Sequence, residues 1–386
     1  MKKTILWLLA LVLAVVCVLE TSKAIPAFAR KYNMSCTTCH SPFPRLKPYA
    51  NDFAGNGFQL EGQEPSRYFV DTGDDMLDLL RDIPIAVRLE GYGRYTYESE
   101  GKTDFQTPYV VKLLSGGNVT KDISYYFYFF FGERGEVAGL EDAFLYFNNL
   151  FGSELDLQFG QFQVSDPLFK RELRLTFEDY QIYRATPGQS SASLTYDRGM
   201  IFTYGLPTGT DLTLELLNGN GIGPADASRA FDNDANKNFM GRVSQDIGSN
   251  FRVGAFGYYG KEEQADARNF TRAFGPDVSV SFDQFEVNAQ AVWRFDDNPF
   301  FVSTTGRQET RGGFGEVVIT PEGDKSRVYG VLLYNIVRSD LSSLEYQSIA
   351  GHIGYLLRRN IRLTAEYSYH IDAKAHGLTA GFVMAF

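Results

Sequence analysis

From Ile83 onward apolar and polar residues alternate one by one, and that alternation constrains the fold more than any other feature of the chain. In the first run Ile85, Val87, Leu89, Tyr95 and Tyr97 share one side, and Arg88, Glu90, Tyr92, Arg94 and Thr96 share the other. Near the end Ile361, Leu363, Ala365, Tyr367, Tyr369 and Ile371 alternate with Arg362, Thr364, Glu366, Ser368 and His370. Leu155, Leu157 and Phe159 alternate in the same way with Glu154, Asp156 and Gln158. A strand with ionised side chains at every second position cannot bury both faces in a dry core. It can turn one face to lipid and the other to a wet lumen. An open edge in lipid would leave amides unpaired, so such a sheet must close on itself.

The last run, Gly377 to Phe386, places Leu378, Ala380, Phe382, Met384 and Phe386 on the lipid-facing parity. A C-terminal aromatic on an alternating strand resembles the assembly signal of bacterial outer-membrane barrels. About sixteen strand-like runs follow Ile83, an even number as such barrels require. The fold expected is therefore mainly β, a transmembrane antiparallel β-barrel over residues 83–386. A soluble sandwich is the alternative, but its strands would not need so many charges on the second face.

Residues 1–24 read as an export signal. Lys2 and Lys3 precede the apolar stretch Ile5 to Leu19, and Ser22-Lys23-Ala24 supplies a small-x-small cleavage site. Cleavage before Cys17, as in a lipoprotein, would follow Ala14-Val15-Val16, a poor lead-in. No later segment has the roughly 20 continuous apolar residues of a membrane helix. The chain carries a net charge of −10, and loss of the leader's net +2 leaves about −12. That balance argues against a nucleic-acid partner.

Between leader and barrel, residues 25–82 hold the pentapeptide Cys36-Thr37-Thr38-Cys39-His40. Two thiols three positions apart, followed at once by an imidazole, read as a c-type haem attachment site. Cys36 and Cys39 would form thioethers with the porphyrin vinyl groups, and His40 would be the proximal ligand of the haem iron. A Cys36–Cys39 disulfide would leave His40 without a role. A structural zinc site needs about four ligands, and the mature chain has no third cysteine. The expectation is one haem c per chain, in a small N-terminal cytochrome domain whose porphyrin is covered by Phe28, Phe43, Leu46, Tyr49 and Phe53. So few residues could hardly fold without the cofactor as their core.

Met76 is the leading choice for a distal ligand, since a Met/His pair would raise the potential. The alternative is that Met76 and Leu80 form the apolar face of a short helix. Met34, His352, His370 and His376 are the other donors, and an open sixth position is a further option. Asp71, Asp74, Asp75 and Asp78 offer hard oxygen ligands to a cation, or else form a solvated acidic linker.

Two resemblances now apply. Pro-Ala-Phe-Ala-Arg, Cys-Thr-Thr-Cys-His and Phe-Pro-Arg-Leu-Lys-Pro-Tyr, with Phe53 and Gly57-Phe58 behind, resemble the N-terminal domain of fused monohaem cytochrome–porins of iron-oxidising bacteria. The same motif also occurs in small cytochromes of metal-reducing bacteria. Where the iron-oxidiser family tends to carry basic residues, this chain has Ala50-Asn51-Asp52 and Ala54-Gly55-Asn56. In the barrel, Leu-Glu-Asp-Ala-Phe-Leu-Tyr-Phe, Leu-Asp-Leu-Gln-Phe-Gly-Gln-Phe, Phe-Glu-Asp-Tyr, Tyr-Asp-Arg-Gly-Met and Leu-Leu-Asn-Gly-Asn-Gly are similar to the phosphate-selective porin superfamily. That resemblance implies an inward-folded segment, here Ser165 to Ser190, which narrows the pore.

These resemblances imply a protein of the bacterial outer membrane, in contact with its lipid. Its haem would accept electrons from extracellular Fe(II) and pass them to a periplasmic c-type cytochrome, which makes the chain an Fe(II) oxidase or electron carrier. A bilayer core is about 30 Å thick, too far for one tunnelling step, so a haem plugging the lumen would divide the distance. The outward direction, reducing extracellular metal, is the second reading. The third is a solute porin with a structural haem plug, in which Lys170, Arg171, Arg174 and Arg184 form an anion-selective constriction. Asp166, Glu172, Glu178 and Asp179 interleave with those cations and nearly cancel them.

Overall fold

The computed structural model describes residues 27–60, 69–232, 234–264, 267–303 and 306–386. The leader expected at residues 1–24 lies outside them, as do Pro26 and residues 61–68. Sixteen antiparallel strands close into one barrel, each paired with its sequence neighbours, and β1 (Ile85–Tyr97) meets β16 (Ala375–Ala385). The expectation of about sixteen strands in a closed sheet is thus met. Beyond the register that joins Arg88 to Ala385, the amide of Val87 donates to Phe386 O at 2.7 Å and the amide of Phe386 donates back at 2.9 Å.

Side-chain parity follows the sequence pattern. On β15 (Ile361–His370), Leu363 and Tyr367 are exposed while Arg362, Glu366 and Ser368 are buried. On β16 Leu378 is 52% exposed and Val383 is fully covered. Apolar groups outside and charged groups inside reverse the arrangement of a soluble protein. It is the arrangement of a barrel whose outer wall meets lipid. Tyr97, Tyr367 and Tyr369 cluster around the His376 ring near one rim, as in an interfacial aromatic girdle.

The two ends of the barrel differ. Short turns such as 248–250 and 359–360 close one end, and longer connections such as 164–195 and 218–237 lie at the other. Residues 164–195 join β5 (Leu155–Gln163) to β6 (Tyr196–Leu206) and fold into the lumen. Phe162, Val164, Leu168, Tyr180, Ile182 and Tyr183 of this region form a core with wall residues such as Met240, Val292, Phe314 and Leu333. The inward segment expected at Ser165 to Ser190 is therefore present.

Among the described residues, three short helices precede the barrel. The first, α1 (Ala27–Tyr32), is followed by the one-turn α2 (Cys36–Cys39), whose N-cap Ser35 accepts a hydrogen bond from the Thr37 amide at 3.3 Å. The third, α3 (Pro48–Gly55), begins on a proline, which suits a first helical turn because no amide is wasted there. Phe28, Tyr32 and Phe58 pack around Phe53 with ring centroids 5.5–6.0 Å away. Phe58 in turn stacks on Tyr126 of β3 (Ile123–Glu133) at 5.0 Å. This aromatic stack seats the helices against the inner wall at the short-turn end.

Candidate functional site: the lumen mouth around His40

Cys36 and Cys39 stand at the two ends of α2, both partly covered and both with free thiols. Burial pushes each thiol above its ordinary range. Burial therefore favours the protonated thiol at both positions. His40 follows as the C-cap of that helix and bridges to Leu46 across a small loop. Its Nδ1 lies 2.8 Å from Pro44 O and 3.3 Å from Arg45 O. A carbonyl only accepts, so Nδ1 carries the proton and Nε2 is left as the free lone pair. Burial lowers His40 below its ordinary range, in favour of the neutral ring, and the backbone carbonyls oppose this more weakly. A neutral imidazole oriented by a backbone carbonyl is the form in which histidine binds a metal.

Phe43 packs edge-on against His40 at 5.1 Å, and Leu46 lies beside it through the bridge. Tyr49 is exposed, whereas Phe53 is buried in the aromatic cluster with Phe28, Tyr32 and Phe58. Of the five expected porphyrin neighbours, the structure thus brings Phe43 and Leu46 to His40, points Tyr49 to solvent and packs Phe28 and Phe53 against each other. Met76 is 93% exposed, and its amide donates to Asp74 Oδ1 at 2.9 Å. Residues 74–77 form a turn rather than the short helix considered above, and Leu80 bridges to Phe69. Asp71, Asp74, Asp75 and Asp78 are exposed. Among the described residues no group of three His, Cys, Asp or Glu side chains is arranged to hold a metal ion.

Cations of the loop after His40 tie this region to the barrel. Arg45 Nε donates to Glu286 Oε1 at 3.1 Å, and Lys47 pairs with Asp324 while also donating to Thr37 O at 3.1 Å. Arg362 Nη1 donates to Phe43 O at 3.3 Å and to Tyr329 OH at 2.9 Å. Nothing local in the sequence marks Glu286, Asp324, Tyr329 or Arg362 as partners of a motif some 240–320 positions earlier. Their only signal is the lumen-facing parity of three of them.

Deeper in the lumen, Glu366 accepts from the amides of Phe177 at 2.6 Å and Glu178 at 2.8 Å, and so pins the inward segment. His352 Nδ1 lies 3.0 Å from the same carboxylate and its ring stacks on Tyr329. His370 faces Glu178 at 4.0 Å, and His376 lies on the outer parity with Tyr367 OH at 2.7 Å from its Nδ1. The cations expected to form a constriction are largely paired. Lys170 meets Asp166 at 2.9 Å, Arg171 pairs with Asp179, and Arg174 and Arg184 approach Asp179 at 3.7 and 3.9 Å. Lys112 of β2 (Gly101–Asn118) neutralises Glu172 at 3.1 Å.

No protein-family model and no curated protein sequence matches the chain. Solved structures do match. An anion-selective porin from Comamonas acidovorans superposes with a TM-score of 0.59 at 10% identity, over 79% of this chain and 99% of that one. The outer membrane protein OmpT of Vibrio cholerae, in its trimer form, gives 0.56 at 10% identity over 79% and 99%. The outer membrane channel DcaP of Acinetobacter baumannii gives 0.53 at 16% identity over 79% and 97%. At such identities the likeness is one of fold. The chain is a sixteen-stranded barrel of the kind found in bacterial outer-membrane porins.

Proposed function

We propose that the N-terminal segment carries a covalently attached c-type haem in the mouth of this porin-type barrel, and that the chain transfers electrons across the bacterial outer membrane. The observation behind this reading is the His40 imidazole. Its Nδ1 is committed to Pro44 O, its Nε2 is free, and two free thiols stand in the preceding helix turn. A haem held there would supply one-electron exchange, extracellular Fe(II) going to Fe(III) and a periplasmic cytochrome taking up the electron. The chain's own part is structural. Pro44 orients the imidazole, Phe43 shields one side of it, and Arg45 and Lys47 fasten the loop to Glu286 and Asp324. Because short turns face the periplasm in outer-membrane barrels, this seat would lie within reach of a soluble periplasmic cytochrome.

The fold supports a second reading more directly, namely a solute porin in which the N-terminal segment is a plug. One of the matched barrels is an anion-selective porin. The paired charges of the inward segment count against a strongly selective constriction here.

The two readings separate in one experiment. The detergent-purified, air-oxidised protein is examined by visible spectroscopy while Fe(II) is added without oxygen. Growth of a reduced haem band supports inward electron transfer. Reduction by dithionite alone, followed by reoxidation with Fe(III), turns the direction outward. A haem inert to both iron species, together with large conductance in planar bilayers, overturns electron transfer in favour of the porin.

A further inference from the structure

Among the buried arginines of the lumen, Arg362 is the outlier. It is only 3% exposed, yet its hydrogen bonds go to a carbonyl and a phenol, and it forms no ion pair among the described residues. Its Nε is buried without a partner. Burying a guanidinium without a counter-charge is costly, and the other buried arginines of the lumen avoid it. Arg242 pairs with Asp277 at 2.6 Å and Arg294 with Asp296 at 2.7 Å. Arg362 borders a cavity of about 50 Å³ that is also lined by Arg88, Lys112 and Arg174, against Glu90 and Glu172. Glu90 is taken by Arg88 and Glu172 by Lys112, and Arg88 Nε also lacks a partner. The recess therefore has a net positive lining, and its Arg362 edge touches the loop that carries His40.

We propose that Arg362, assisted by Arg88, is the anchor for the carboxylate groups of the porphyrin attached at Cys36 and Cys39. This rests on the haem reading above. It assigns to the barrel wall a task that the helical segment is poorly equipped for, since its cations beside His40, Arg45 and Lys47, are already paired with Glu286 and Asp324. A guanidinium fork matches a carboxylate in two parallel hydrogen bonds, and Arg362 retains unused donors for it. The ionisable groups facing the guanidinium across the cavity and its rim include Arg88, Glu90 and Tyr92 from β1, Lys112 from β2, Glu172 and Arg174 from the inward segment, Tyr329 from β13 (Val328–Ser339) and His352 from β14 (Tyr346–Arg358). The same chemistry would accept a free oxyanion from solution, so the test must tell the two sources apart.

The experiment uses the full-length protein in detergent as wild type, Arg362→Gln, Arg362→Lys and Arg88→Gln, with Arg272→Gln at an exposed ion pair as control. Covalent haem is read by peroxidase staining of a denaturing gel, and midpoint potential is titrated against pH. The expected result is full haem attachment in every variant, with a pH-dependent step in the potential that moves up by about one pH unit in Arg362→Gln, a tenfold change in proton affinity. Arg362→Lys and Arg88→Gln should move it less and Arg272→Gln not at all. If Arg362→Gln fails to fold, the first two carry the test. Haem present with an unchanged profile in the Arg362 and Arg88 variants overturns the anchor alone. Inorganic phosphate that binds wild type and not Arg362→Gln, with the redox profile unchanged, overturns it in favour of a solute site. No covalent haem in wild type overturns the haem reading as well.

Discussion

Arg45 and Glu286 are joined by a hydrogen bond of 3.1 Å between residues 241 positions apart, which fixes the loop after His40 to the second residue of β11 (Phe285–Asp296). Both partners are mostly covered, so the contact is little screened. Hydrogen bonds to charged groups contribute roughly 1.5–3 kcal/mol. Replacing Glu286 by Gln should therefore raise the rate of protease cleavage within residues 27–60 by at least about tenfold, tenfold being 1.4 kcal/mol. Timed proteolysis of the intact barrel checks this, and an unchanged rate would mean that Lys47–Asp324 and the aromatic stack hold the segment unaided.

Cys36→Ala combined with Cys39→Ala should remove all haem that survives denaturation and leave the barrel folded, because both thiols are free and lie in a short helix outside the strands. Peroxidase staining beside the heat-dependent gel migration of the barrel measures both. Retained stain would refute covalent attachment at these positions.

Met76→Ala should leave the oxidised visible spectrum as it is. The side chain is 93% exposed in a turn. A shift from low-spin to high-spin absorption in this variant would show that Met76 does reach the iron in the loaded protein.

Gly160→Ala should weaken the barrel itself. Gly160 has φ +147°, and a Cβ there would lie 2.3 Å from Ala143 O on the neighbouring strand β4 (Gly139–Leu150). Backbone in such a region costs a residue with a side chain on the order of 1–3 kcal/mol, and the clash with a carbonyl adds to it. Urea unfolding followed by tryptophan fluorescence should show a lower midpoint, and an unchanged midpoint would mean that β4 and β5 can shift apart.

Asp179→Asn removes the carboxylate shared by Arg171, Arg174 and Arg184. Three cations would then face the lumen, and reversal potentials in a salt gradient should move toward anion preference. No movement would place the inward segment outside the ion path.

The alternation of residue types made the barrel legible in the sequence. Arg362, Glu366 and Ser368 read as inward and Leu363 and Tyr367 as outward, and the structure agrees because lipid and water leave a strand no other choice. The Cys36–His40 motif was legible because its spacing is chemical and local. Contacts across the lumen were not. Glu366 holds amides 188 and 189 positions away, and Arg362 meets Phe43 across 319. Register along one strand says which residues face inward, but not which of them meet. The exposure of Tyr49 was not legible for a different reason. Tyr49 shares helical spacing with Phe53, yet it lies in the first turn of an eight-residue helix, where it overhangs the packed face.

The seat of the N-terminal segment also bears on the order in which the molecule is made. Its partners Glu286, Asp324 and Arg362 lie in β11, in the turn after the next strand and in β15, whereas the segment itself precedes every strand. The leading helices must therefore wait, unsealed, until the sheet is almost complete. Under the haem reading, that waiting period is when Cys36 and Cys39 are open to attachment of the porphyrin, and a slower final strand would lengthen it.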